Sequence, residues 1–296
     1  MPFVITDEQV ASTLTWDLSL ESARDVFREQ AAGRVLLTDP RVKKLSFPGA
    51  GGGYRVKGAV LTGMGVAGLR AARTVILSSW PEMEFIGAVE ERTGYARRVG
   101  AVTAVALEAL DRETFSSVCL FGAGRLARTT LGALAHRYRL GQVTVLSRRL
   151  ETREKLAAQF RLRGLNVCPG ADPEAAVRQA DLIITMTSAD EVLVRDEWVG
   201  ESAVVVSTGG GQELDFALLE RAGGLYVDDL EGCLESGDLS RAREAGCYRR
   251  EWVDGTLAGL LCDPGAGVQG GPIVFIPRGM AAMDVLQAYR VALQLL

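Results

Sequence analysis

Ser117-Val118-Cys119-Leu120-Phe121-Gly122-Ala123-Gly124-Arg125-Leu126-Ala127 decides how this sequence is read. Ser117–Phe121 has the character of a short buried strand, and Leu126–Tyr138 follows with helical spacing. Between them stands Gly-x-Gly-x-x-Ala. Gly122 permits a tight turn, Gly124 lets a pyrophosphate approach the backbone, and Ala127 lets helix and strand pack closely. The start of the helix presents free N–H groups and its positive dipole end to that anion. Alone the motif is weak; the strand before it and a second strand after it, Gln142–Leu146, make it a dinucleotide-binding turn. Gly122, Ala123, Gly124, Arg125 and Leu126 are the expected cofactor contacts.

The rhythm continues outward from this turn. Glu151–Arg163 reads as a helix, Asp181–Thr185, Ala203–Ser207 and Leu225–Asp228 as strands, and the chain closes with a strand, Gly271–Ile276, and a helix, Met280–Leu296. Apolar strands alternating with amphipathic helices predict an α/β fold, a doubly wound parallel sheet of Rossmann type. The end of the second strand reports on which dinucleotide binds. An NAD site usually carries Asp or Glu there. Here Ser147-Arg148-Arg149 stands instead, with no carboxylate before Glu151. A hydroxyl and two guanidiniums suit the 2′-phosphate, so NADP(H) is expected over NAD(H), the other reading being a solvated basic loop. Thr187 and Ser188 follow Asp181–Thr185 at its carboxyl end, where open α/β sheets bind ligands.

Upstream the character differs. Thr6 and Gln9 have capping-box spacing, and Leu20, Ala23, Val26, Phe27 and Ala31 form a helical stripe ending at Gly33. Residues 34 to 90 carry short β-type runs, Tyr54–Leu61 and Arg73–Leu77, broken by Gly49–Gly53 and Pro81. This predicts a smaller α+β unit whose sheet edges are covered or paired with a second copy, hence a homodimer. The expected division is a substrate and dimerisation domain, residues 1–112 with the helix 278–296, and a Rossmann domain, residues 113–277. Pro264–Pro272 is the one long loop expected late in the chain.

Composition narrows the function. With 296 residues and 48% apolar content, two domains with substantial cores are expected. A net charge of −4 argues against a nucleic-acid partner. No apolar run approaches the ~18 residues that span a bilayer, and Met1–Glu8 lacks a signal peptide's basic start, so a cytoplasmic protein is expected. Cys119, Cys168, Cys233, Cys247 and Cys262 form no CxxC pair, and His136 is the single histidine, so no metal site is expected. His136 falls within Leu131–Leu140, which reads as helix body, and is given a surface or half-buried structural role.

Several stretches carry a family resemblance. Ala180-Asp181-Leu182-Ile183-Ile184-Thr185-Met186-Thr187-Ser188 is similar to an "ADIVxTATS" strand and loop; Glu213-Leu214-Asp215, Val227-Asp228 and Glu235-Ser236-Gly237-Asp238-Leu239 follow as "ELD…VD…ESGDL"; Ile273 through Asp284 is similar to an "ITxFxxxGxAxxD" close. In these features the chain resembles the ornithine cyclodeaminase/mu-crystallin family over most of its length. Pro277 and Gly279-Met280-Ala281 most resemble the branch that oxidises N-(2-amino-2-carboxyethyl)-glutamate. The resemblance implies residues that grip the carboxylate of an amino or imino acid. The family's Gly-x-Lys strand matches Arg55-Val56-Lys57, its "RTAA" helix start matches Arg98-Val99-Gly100-Ala101, and a "PxR" stretch loosely matches Asp39-Pro40-Arg41. Lys57, Arg98 and Arg41 are thus the expected catalytic-site residues for a small anionic, amino-acid-like substrate.

One departure matters. The family's acid/base Asp lies in a "GxDxPGKxE" loop, whereas this chain has Ser207-Thr208-Gly209-Gly210-Gly211-Gln212-Glu213. The resemblance with this loss implies a nicotinamide-dependent oxidoreductase acting on the C–N bond of an imine or secondary amine, with water or Lys57 handling protons. An ammonia-releasing cyclodeaminase and a non-catalytic NADPH-binding protein are the alternatives. The glycine triplet reads equally as a mobile loop near the nicotinamide and as a plain turn.

Overall fold

The computed structural model describes residues 2–47, 49, 53–263 and 270–296. Most of the expected loop Pro264–Pro272, and much of the glycine run at 49–53, lies outside these residues. The chain divides into two compact units, Met1–Val105 with Gly279–Leu296, and Ala106–Arg278. No helix among the described residues is long and apolar enough to cross a membrane.

The first unit is built on β1 (Phe3–Ile5), β2 (Val35–Leu37), β3 (Lys43–Ser46), β4 (Gly53–Leu61), β5 (Val66–Ala71), β6 (Thr74–Ser79) and β7 (Phe85–Glu90). Their order is β1-β7-β6-β5-β4-β2, with β3 also pairing β4; β1 runs parallel to β7 and the other pairs are antiparallel. Helices α1 (Asp7–Thr13), α2 (Trp16–Ala31) and α3 (Arg92–Ala106) accompany the sheet. The capping box at Thr6 is formed, and a second hydroxyl cap, Thr15, starts α2. The C-terminal helix Ala281–Leu295 packs on α2 and across β4, β5 and β6. Gly68 makes that approach possible, because a Cβ there would stand 2.9 Å from Val285 Cγ2 and 2.8 Å from the Ile76 carbonyl oxygen. On the opposite face Val4, Leu69, Ile76 and Phe85 are exposed. Leu69 pairs directly with Ile76, Ile76 with Ala88, and Ala88 with Val4, so an apolar stripe crosses the sheet.

The second unit is an eight-stranded parallel sheet. Its strands are β8 (Thr114–Phe121), β9 (Arg139–Leu146), β10 (Asn166–Pro169), β11 (Leu182–Thr185), β12 (Val204–Ser207), β13 (Gly224–Val227), β14 (Gly255–Thr256) and β15 (Ile273–Ile276), in the order β10-β9-β8-β11-β12-β15-β13-β14. Every residue of β11, β12, β13 and β15 is buried, as strands covered on both faces require. Helices α4 (Arg125–Arg137) and α5 (Leu150–Arg161) follow β8 and β9. Strand order reverses between β8 and β11, which creates a switch point where ligands bind. The α/β, doubly wound reading therefore holds.

Helix α4 stops at Arg137, earlier than the expected helix body to Leu140, and His136 lies exposed in its last turn. The apolar spacing misleads here because Tyr138 leaves the helix to stack edge-on against Phe115, ring centroids 5.4 Å apart. The reading of residues 34 to 90 found β4 and β6 but not β2, β3, β5 and β7, and β1 was not anticipated at all. Three-residue strands carry too little alternation to register, and β5 is interrupted on its buried face by Gly68 and Arg70. Gly68→Ala should destabilise the fold by about 1–3 kcal/mol by overpacking the helix against β5. Urea denaturation checks this; an unchanged midpoint would contradict the packing described.

Candidate functional site

A cavity of about 710 Å3 opens over the turn between β8 and α4. Gly122, Ala123, Gly124, Arg125, Leu126, Ser147, Arg148, Arg149, Thr187 and Ser188, the ten expected cofactor contacts, all line it. Gly122 has φ +117°, and a Cβ there would lie 2.5 Å from the Met186 carbonyl oxygen, so this position admits only glycine without strain. Gly124, which caps α4 with no side chain, meets nothing within 4 Å where a Cβ would stand, leaving backbone open to a ligand. These features fit a dinucleotide's pyrophosphate at the helix N-terminus. Thr152 and Arg153, in the first turns of α5, also line the cavity and are not among the contacts expected from sequence.

The loop Ser207–Glu213 is a pinned turn. Buried Asp238 accepts from Ser207 Oγ at 2.5 Å and from the Glu213 and Leu214 N–H groups at 2.7 and 2.8 Å. Glu213 accepts from the Thr187 N–H at 3.0 Å and from its hydroxyl, tying the turn to the end of β11. Arg278 donates to the Thr208 carbonyl at 2.8 Å and to that of Gly209. Of the two readings of the glycine triplet, close packing favours the turn: a Cβ on Gly209 would stand 1.9 Å from Glu213 Oε2.

The first unit holds a buried ionic cluster. Lys57 on β4 and Arg98 on α3 both meet Asp284, in the first turn of the C-terminal helix. Lys57 Nζ lies 2.6 Å from Asp284 Oδ2, and Arg98 Nε donates to Asp284 Oδ1 at 2.9 Å. Arg98 is 5% exposed and Asp284 2%, so neither charge reaches bulk water. Lys57 also donates to the Gly279 carbonyl at 3.1 Å. Gly279 must lack a side chain, because a Cβ there would fall 1.9 Å from Arg98 Nη1. Arg70 stands directly across the sheet from Lys57 and pairs with Glu91, while the Tyr95 ring lies 4.7 Å from the Arg70 guanidinium and 4.9 Å from that of Arg98.

Three cations here face two carboxylates, which leaves positive charge in excess. Burial lowers the pKa of Lys57, aided by Arg98 and opposed by Asp284. The paired cations hold Asp284 below the usual carboxylate range in spite of burial. Glu91 is pushed up to about 7, first by burial and then by the charge of Asp284. Arg41 lies half-buried outside these ion pairs. It donates to the Thr38 carbonyl at 3.0 Å, and Thr38 in turn accepts from the N–H of Gly58, next to Lys57. Glu91 and Arg70 are not among the residues expected from sequence, and Asp284 stands there only as the closing Asp of the "ITxFxxxGxAxxD" resemblance, with no role in the site given to it.

A carboxyl raised on folding stabilises the native state fully below its unfolded pKa, near 4.5, and loses that contribution as pH rises through about 7. Glu91→Gln should therefore gain about 1–3 kcal/mol on the wild type between pH 5 and pH 8. Thermal melts of both proteins check this; a difference in Tm that stays flat with pH would contradict it.

Residues 66–291 match the model of the ornithine cyclodeaminase/mu-crystallin family. An alanine dehydrogenase of Archaeoglobus fulgidus is 28% identical over 96% of this chain and 92% of its own length. The ketimine reductase mu-crystallin of Rattus norvegicus is 34% identical over 49% of this chain and 46% of its own. Among solved structures, an archaeal alanine dehydrogenase dimer with bound NAD superposes with TM-score 0.86 at 26% identity, covering 99% of this chain and 96% of that one. The motifs on the strand ends and the closing helix thus have a common origin, and the chain belongs to the ornithine cyclodeaminase/mu-crystallin family.

Proposed function

We propose that this protein is a nicotinamide-dependent oxidoreductase acting on the C–N bond of an amino-acid-derived imine or secondary amine, with NADP(H) preferred over NAD(H). The observation that carries this reading is the surplus of buried positive charge around Asp284. A buried cation is costly unless paired, and a small substrate carboxylate supplies the missing negative charge. The named relatives support the reaction type, one being a ketimine reductase and another an alanine dehydrogenase. Residues 1–112 with the last helix serve as the substrate and dimerisation domain, and residues 113–277 bind the coenzyme.

The bound nicotinamide supplies or accepts the hydride. Backbone from Gly122 to Leu126 holds the pyrophosphate, Ser147, Arg148 and Arg149 surround the 2′-phosphate, and Thr187 and Ser188 meet the ligand at the end of β11. Arg98 and Lys57 hold the carboxylate, with Arg41 beside them. Asp284 positions both: it fixes the guanidinium through Nε and keeps the ammonium next to it. The proton on the amine nitrogen comes from Lys57 Nζ or from water. Burial weakens Lys57's hold on its proton and so favours donation. The loop Ser207–Glu213 carries no aspartate, which argues against ammonia-releasing cyclisation.

NADPH oxidation with cyclic and linear ketimines bearing an α-carboxylate should show turnover, and Arg98→Ala should lower kcat/KM by roughly a hundredfold, with Gly122 and its turn still binding coenzyme. Absence of turnover across imines and amines, or an unchanged kcat/KM in the variant, would refute the assignment.

The apolar stripe of Val4, Leu69 and Ile76 is the dimerisation surface, and a second copy of this chain is its occupant. A related alanine dehydrogenase is itself a dimer. Light scattering after gel filtration should give a dimer for the wild type and a monomer for Ile76→Glu; a wild-type monomer would contradict the assignment.

A further inference from the structure

Arg70 is the third cation of the buried cluster, and the reaction outlined above gives it no task. It stands on β5 directly across from Lys57 on β4, on the face that carries Gly68 and meets the C-terminal helix. Like charges placed opposite each other on paired strands repel. Its charge lowers the pKa of Lys57 and that of Asp284, so it acts on the same small space.

The Arg70 guanidinium is only partly engaged. Nε donates to Glu91, whereas Nη1 and Nη2 meet no hydrogen-bond partner among the described residues, and neither is buried. The side chain is 18% exposed, against 5% for Arg98 and for Glu91. The outer edge of a planar fork of donors is therefore open, the arrangement that takes a carboxylate through two parallel bonds. The Tyr95 ring lies 4.7 Å from this guanidinium and 4.9 Å from that of Arg98, so the two cations stand no further apart than those lengths laid end to end. A short carbon chain covers that gap.

Glu91 answers the charge of Arg70 incompletely. It is faced by Arg70 from β5, by Arg98 from α3 and by Asp284 from the C-terminal helix, and with its pKa pushed up to about 7 it gives up its charge near neutral pH. Three cations then face the carboxylate of Asp284 alone. A ligand with one carboxylate balances half of that surplus, and a ligand with two balances it.

We propose that Arg70 binds a second carboxylate of the substrate, so that the site takes an amino or imino dicarboxylate in preference to a simple amino acid. The inference rests on the reading of Arg98 and Lys57 as the anchor of the first carboxylate. The second acid closes on the open Nη edge of Arg70, while Glu91 keeps Nε and holds the plane of the guanidinium. A neutral group in the same place leaves the Arg70 charge unanswered, and binding is weaker by that amount.

The test compares ligands that differ by one charge. With NADP+ and NAD+ both supplied at saturation, wild type, Arg70→Met and the double variant Arg70→Met/Glu91→Gln are titrated by calorimetry with matched pairs. These are L-glutamate and L-glutamine, L-aspartate and L-asparagine, and N-(carboxymethyl)-L-alanine and N-(carbamoylmethyl)-L-alanine. The last pair places the second acid on the nitrogen substituent, the others on the carbon chain. In at least one pair the wild type should favour the acid at least about tenfold, and both variants should bring that preference to within about twofold. The double variant leaves no unpaired charge behind, so it keeps the measurement readable where Arg70→Met alone loses its fold. A wild type that binds none of these compounds overturns the Arg98–Lys57 anchor, and this inference with it. A wild type that binds them but favours no acid over its amide overturns the role of Arg70 alone. A preference that survives in both variants, with acid and amide weakening together, marks Arg70 as merely structural and overturns its role as well.

Discussion

The first unit is organised around one requirement: the carboxylate of Asp284 must neutralise two cations that cannot reach water. Lys57 comes from the middle of a strand, Arg98 from a helix that follows the sheet, and Asp284 from the last helix of the chain. Leaving either cation unpaired in this environment would cost several kcal/mol. The pairing therefore fixes the strand, α3 and the C-terminal helix relative to one another within this unit. It also explains why the chain returns to the first unit after completing the second, since the acid is delivered by its final segment. Gly279 belongs to the same requirement, because its bare Cα lets the guanidinium lie against the backbone.

The second unit obeys a different constraint. A parallel sheet covered on both faces places every loop of one kind at the carboxyl ends of its strands. With β8 and β11 adjacent at the reversal, the Gly122 turn and the Thr187–Ser188 segment face the same cavity. Glu213 Oε1 and both oxygens of Asp238 accept from backbone and hydroxyl donors around the Gly209 turn, and burial raises the pKa of each acid. They brace that end of the sheet.

How much could be read beforehand follows from burial. Strands such as β11 and β12 are apolar at every position, so their sequence declares them, and the glycine turn between β8 and α4 is specified by local sterics alone. The strands of the first unit face core on one side and carry exposed side chains on the other. Two of those missed, β5 and β7, are interrupted inside by Gly68 and Gly87, which hides their alternation. Lys57 and Arg98 were recognisable only through the family resemblance, since a lysine in a strand reads as surface. Asp284 is 186 positions from its Arg98 partner, and no local pattern links them. Arg153 escaped notice for a related reason: on a helical wheel it is one more charged residue, and only the fold turns it back toward Ser147.

The central claim is that the positive charge left over around Asp284 awaits the carboxylate of a small substrate. A crystal structure of the protein with NADPH and a planar heteroaromatic carboxylate, shaped like a cyclic imino acid, tests it most directly. The account predicts both carboxylate oxygens within hydrogen-bond reach of the Arg98 guanidinium and Lys57 Nζ. A ligand bound elsewhere, with those two side chains still closed on Asp284 alone, would contradict it.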